Sequence, residues 1–145
     1  MAIGLTSGHI RVYDVRDMQL AQQLEAPFQA AVSKLSFSNK GIFLAASWEG
    51  QDTCRVYSLH KAFAANDIKQ EGLAVTSLSF DFYGGFLAIG TTQNLMISSY
   101  KNWKKTLTTI NPFQSGGVKA INFDATGRKI FVSNCVSGEI KTLGL

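Results

Sequence analysis

A period of 43 residues constrains this chain more than any other feature. VSKLSF at 32–37 returns as VTSLSF at 75–80 and VKAINF at 118–123, which sets Phe37, Phe80 and Phe123 at intervals of 43. Gly41, Gly84 and Gly127 keep the same step, as do Leu44, Leu87 and Ile130. Unrelated residue types locked to one interval over three copies indicate a structural repeat.

Each repeat reads as short strands. Leu78 and Phe80 are two apart and so share one face of an extended segment, as do their equivalents. The four-residue runs Ser38–Gly41, Asp81–Gly84 and Asp124–Gly127 follow. Ser or Asp bonds the backbone just downstream and Gly supplies a positive φ, so each run closes a hairpin. Apolar second strands come next at 43–46, 86–89 and 130–132, flat enough to lie between two neighbours. Third strands echo one another at 10–13, 54–57, 97–100 and 140–143. More polar fourth strands at 20–24, 67–70 and 106–110 suit an outer edge. A single helical turn is expected at His60–Ala65. Four strands in about 43 residues is the period of a propeller blade. The chain is therefore predicted to be all-β, built of four-stranded antiparallel blades.

Composition agrees with a packed fold: of 145 residues, 46% are hydrophobic and 17% charged, which excludes a disordered chain. The longest apolar runs, 42–46 and 86–89, are far short of a membrane span, and no secretory leader is read at the start. A net charge of +4 suits an acidic or nucleic-acid partner without requiring one. Cys54 and Cys135 stand 81 residues apart. That spacing is too sparse for a disulfide framework or a structural zinc site, and it points to a reducing compartment.

By blade, the chain divides into 1–25 without an innermost strand, 32–71, 75–110, and 118–145 without an outer strand. That makes about three and a half blades, where closed rings use four to eight. An open array leaves two apolar faces uncovered, forfeiting roughly ten kcal/mol. The expectation is that residues 1–145 are the C-terminal half of a larger propeller. The missing N-terminal half would then be the chain's first partner.

The repeats resemble those of WD-repeat proteins, with Val12-Tyr13-Asp14 standing where the family's aromatic–aspartate pair ends the third strand. Other copies depart from it, reading Tyr57-Ser58, Tyr100-Lys101 and Leu143-Gly144, and Phe28 and Gln114 stand near the family's histidine position. The segment 77–103, with Lys101 and Trp103, is similar to the penultimate blade of the splicing-associated U-box ubiquitin ligases. Segments 2–15 and 34–47 share that likeness. The resemblance implies part of a seven-bladed WD40 propeller that recruits splicing-complex proteins or ubiquitination substrates in the nucleus. It also implies links to pre-mRNA splicing, ubiquitination and DNA repair. The ligase chemistry resides in a U-box that this sequence lacks, so no enzyme activity and no cofactor or metal are expected here.

Among candidate sites, Trp48 reads as a loop residue on the face that receives Phe28 and Phe113, a protein-contact anchor or a rim cover. Arg11 and Arg55 recur at one strand position, either lying over neighbouring strands or meeting an acidic peptide. Lys101, Trp103, Lys104 and Lys105 form the densest basic–aromatic cluster. There Trp103 either stacks a base while the lysines meet phosphates, or packs beneath a loop. Cys54 reads as a small buried hydrophobe. No catalytic motif is present: His9 and His60 are isolated, nothing places Ser, His and Asp together, and Asp81 and Asp124 read as turn residues.

Overall fold

Alternation of apolar and polar residues, punctuated by glycine turns, produces strands throughout. The computed structural model describes residues 1–60 and 65–144, among which there are fourteen strands and no helix. Residues 61–64 and 145 and the Lys104 side chain lie outside that description, and the helical turn expected at His60–Ala65 falls there.

The strands form four antiparallel sheets in chain order. The first blade holds β1 (Ala2–Gly4), β2 (Ile10–Tyr13) and β3 (Leu20–Leu24). The second holds β4 (Val32–Phe37), β5 (Phe43–Trp48), β6 (Thr53–Ser58) and β7 (Ala65–Lys69). The third holds β8 (Val75–Phe80), β9 (Phe86–Thr91), β10 (Leu95–Ser99) and β11 (Asn102–Ile110). The fourth holds β12 (Val118–Phe123), β13 (Lys129–Asn134) and β14 (Ile140–Gly144). Innermost strands adjoin one another, β8 touching both β4 and β12, and the outer strands β7 and β11 also meet.

Two departures from the sequence expectation matter for function. Second strands run two residues further than expected, so Trp48 closes β5 opposite Val32 instead of starting a loop. In the third blade the outer strand begins at Asn102, four residues early, through register shifts at Ile97, Ser98 and Ser99. Trp103 is therefore a strand residue.

The hairpin turns repeat atom for atom. Gly41, Gly84 and Gly127 donate their N–H groups to the carbonyls of Ser38, Asp81 and Asp124 at 2.8, 3.0 and 3.0 Å. The side chain at the turn's first position accepts a second bond. Ser38 Oγ accepts from Phe43 N–H (3.0 Å), Asp81 Oδ1 from Phe86 N–H (2.7 Å) and Asp124 Oδ1 from Lys129 N–H (2.9 Å). All three glycines have φ between 64° and 70°, a region that penalises any Cβ.

Burial lies between blades. Ile10, Leu44, Ala46 and Trp48 join the first blade to the second. Cys54, Val56, Ile68, Leu78, Phe80, Leu87 and Trp103 join the second to the third. Ala88, Leu95, Ile97, Val118, Ile121 and Ile130 join the third to the fourth. Cys54 is buried as expected, and burial pushes its thiol pKa upward. Close approach requires small residues: a Cβ on Gly90 would sit 2.7 Å from Val118 Cγ1, and one on Gly4 2.5 Å from Val32 Cγ1.

The tightest such contact is Gly117, where a Cβ would meet the Thr92 carbonyl carbon at 2.2 Å. That obstacle is backbone and cannot swing aside. Gly117→Ala is expected to destabilise the fold by about 3 kcal/mol, read as a lowered thermal midpoint. An unchanged midpoint would contradict this packing.

Hydrogen bonds from the Thr126 hydroxyl and the Lys129 N–H hold the Asp124 carboxyl below its ordinary pKa of 3.8. A carboxyl depressed in the folded state stabilises fully above the unfolded value and loses that contribution as pH falls through the folded one. The thermal midpoint of the native chain should therefore drop more steeply than that of Asp124→Asn as pH falls below the ordinary carboxyl value of 3.8. Parallel curves would contradict the assignment.

Candidate protein-interaction surface

The largest aromatic side chains face inward. Trp48 is 0% exposed; its indole N–H donates to the Gly8 carbonyl at 2.8 Å, and its ring meets Phe28 edge-on at 5.6 Å. It fastens the second blade to a loop of the first and offers no surface to a partner. Phe113 is also buried, in a different cluster two interfaces away, with the Lys141 ammonium 5.4 Å from its ring centre. Trp48 and Phe28 thus come together, while Phe113 does not join them.

Trp103 is likewise buried, edge-on to Phe43 (5.3 Å) and Phe80 (5.9 Å) across the second and third blades. A ring enclosed on both sides has no free face on which a base can stack. Lys101 and Lys105 are exposed near it, and Lys104 lies on β11. Arg55 forms a two-point ion pair with Asp67, its strand partner on β7, at 2.6 and 2.9 Å. That hydrogen bonding raises its pKa further. Arg11 donates to Gln23 Oε1, again its partner on the outer strand, at 3.3 Å. Both arginines brace the third strand of a blade against its fourth.

One catalytic-looking line does form, contrary to the sequence reading. Ser7 Oγ lies 3.1 Å from His9 Nδ1, and His9 Nε2 lies 3.3 Å from Glu25 Oε2. Glu25 is 84% exposed, so solvent screens the pair. The three residues line none of the described cavities. Among the described residues, no three His, Cys, Asp or Glu side chains gather as metal ligands, and no helix is long and apolar enough to cross a membrane.

The exposed aromatic residues concentrate elsewhere. Tyr83 is 71% exposed, Tyr100 53% and Phe82 49%, with Phe86 and Phe37 also open to solvent. Phe82 and Tyr83 meet edge-on at 5.4 Å in the first turn of the third blade. The Tyr100 N–H donates to the Gly85 carbonyl, which brings its corner beside that turn. A cavity of about 230 Å3, lined in part by Phe37, Phe82, Phe123, Asp81 and Asp124, runs between the turns of three blades. Two consecutive aromatic residues where the second blade has Asn39-Lys40 and the fourth Ala125-Thr126 were the available signal. Turn positions do not ordinarily carry Phe-Tyr.

The two ends of the blades differ in charge: the turn end mixes both signs, the described crossover loops carry one. At the turn end stand Arg16, Lys40, Lys101 and Arg128 together with four carboxylates: Asp14 pairs with Arg16, and Asp17, Asp81 and Asp124 accept turn N–H groups. Arg16 accordingly holds the Asp14 carboxyl well below the usual range. At the crossover end, the described loops 5–9, 25–31, 49–52, 70–74, 92–94, 111–117 and 135–139 carry Glu25, Glu49, Asp52, Glu71 and Glu139. They carry no Lys or Arg.

Stacked three- and four-stranded antiparallel sheets with adjoining inner strands are the blades of a β-propeller fold. A chain in the crystal structure of a mitotic checkpoint complex superposes with a TM-score of 0.73 at 18% identity, covering 99% of this chain and 47% of that one. The present chain therefore spans about half the length of that neighbour, and the likeness establishes the fold. No protein-family model matches the chain, and no curated protein matches it by sequence.

The division between inner and outer aromatics can be measured. Trp103→Ala should cost about 3–5 kcal/mol of stability, whereas Tyr83→Ala should stay within about 0.5 kcal/mol, both read from denaturant unfolding. Equal effects would contradict the placement of these rings.

Proposed function

We propose that this chain is a recruiting scaffold without chemistry of its own. In this reading it is the partner-binding propeller of a splicing-associated ubiquitin ligase acting in the nucleus. The sequence resemblance to the C-terminal propeller half of pre-mRNA-processing factor 19 supplies the particular pathway. The observation that carries the scaffold reading is the exposed aromatic group Phe82, Tyr83, Phe86 and Tyr100 at one end of the third blade. Contiguous apolar surface of this kind marks sites of protein contact. That blade has neighbours on both sides, so its end is solvent-facing whatever else the ring contains. The alternative of RNA stacked on Trp103 loses its central ring to the core.

Affinity capture from nuclear extract tests the proposal. The native chain should retain splicing-complex subunits, and Phe82→Ala/Tyr83→Ala/Tyr100→Ala should reduce their recovery at least about tenfold with the thermal midpoint unchanged. Equal recovery by both would overturn this surface as the recruiting site. Absence of splicing subunits from the native sample would overturn the pathway.

A further inference from the structure

We infer that a second copy of this chain is the partner for the two open faces at the ends of its stack of blades. Two copies close a ring, the fourth blade of each lying on the first blade of the other. Strand register identifies both faces as interblade faces without a cover. In the fourth blade Phe131 pairs with Thr142 and Ser133 with Ile140, as Ala45 pairs with Val56 and Ser47 with Cys54 in the second. Ala45, Cys54 and Val56 are buried against the third blade. At the matching positions Phe131 is 41% exposed and Ile140 71%, beside a depression of about 240 Å3 lined in part by Ala120.

The first blade shows the same on its opposite face. Ala2 pairs with Val12 and Ile3 with Arg11, as Ala45 pairs with Val56 and Ala46 with Arg55. Leu44, Ala46 and Tyr57 are buried in the cluster shared with the first blade. Their counterparts are Met1, Ile3 and Tyr13, beyond which no described sheet lies, and Met1 and Ile3 are exposed.

The occupant follows from how these faces are used inside the chain. Three times the face of one blade toward the next packs on the face that the next turns back to it. The free faces of the fourth and first blades are one more such pair, held at opposite ends of one molecule. A second copy joins them twice about a two-fold axis and leaves neither open. Four sheets in each copy make eight blades, within the range of closed rings. Side-chain size agrees. Leu78 and Phe80 of an inner strand share a cluster with Ala45, whereas the first blade has no described innermost strand, and the larger Phe131 supplies volume there. Area agrees as well. The chain exposes 8026 Å2, where a compact monomer of its length exposes about 7,300 Å2. The surplus of about 700 Å2 is close to the roughly 800 Å2 that each partner buries in a standard interface.

Sedimentation equilibrium on the 145-residue chain tests the inference. The native chain should sediment as a dimer, with a thermal midpoint that rises with concentration. Ile140→Glu and Ile3→Glu should each weaken self-association at least about tenfold. Both positions are exposed, and circular dichroism spectra matching the native chain would show that the variants fold. Mixing the two variants should restore dimers in part, because one contact of the mixed ring then joins two native faces. Dissociation by Ile140→Glu with no effect of Ile3→Glu would overturn the ring in favour of two fourth blades packed on each other. Masses that climb past the dimer would overturn its closure. A native monomer over about a hundredfold range of concentration would overturn the second copy and leave both faces to a different chain, such as the N-terminal propeller half. None of these outcomes bears on the recruiting surface, since the turns of the third blade take no part in the contact.

Discussion

Apolar packing between neighbouring sheets is the interaction on which the rest of this structure depends. A single blade is a twisted sheet with two faces and no core of its own; it becomes stable only when another sheet covers it. Trp103 wedged edge-on between Phe43 and Phe80 shows how that cover is made. The approach of Gly90 to Val118 shows what it demands, because a β-carbon there would overlap the neighbour's side chain. Hairpin turns come into line for the same reason. Gly84 lies against Ser38, and Gly127 against the Tyr83 ring, so three turns form one continuous end surface.

Function follows from what this packing uses and what it leaves over. The large rings that bridge blades are consumed by stability, and both tryptophans belong to that group. Turn residues contribute little to the interfaces and are free to carry exposed side chains, provided the Asp or Ser and the Gly of each hairpin keep their hydrogen bonds. The third blade places Phe82 and Tyr83 at those free positions. Asp81 and Asp124 accept backbone N–H groups as ionised carboxylates, so they hold the hairpins and balance the cations of the end surface at once. Structure and electrostatics are thus set by the same two aspartates.

Much of the fold was legible because the repeat constrains it three times over. Val32, Val75 and Val118 each open an inner strand, and the Asp81 and Asp124 turns have the roles their spacing implied. The candidate site was less legible. Trp48 looked like a loop anchor because apolar character fades after Ala46, yet sheet pairing carries β5 two residues further, and the indole finds a carbonyl on another blade. Trp103 packs inside, as one of its two sequence readings has it, but from a strand and not beneath a loop, because of irregular pairing around Ser98 that no local pattern announces. Ser7, His9 and Glu25 meet only because the loop before β2 folds against the one after β3, a contact across sixteen residues of sequence from His9 to Glu25. Side-chain exposure at turns was readable in principle, from Phe-Tyr in a position built for small polar residues.

Amide hydrogen exchange on the chain bound to a captured partner tests the central claim most directly. The account predicts protection concentrated at the turns 38–42, 81–86 and 124–128 and at the Tyr100 corner, with loops 5–9, 49–52 and 92–94 exchanging as in the free chain. Protection confined to the acidic crossover loops would contradict it.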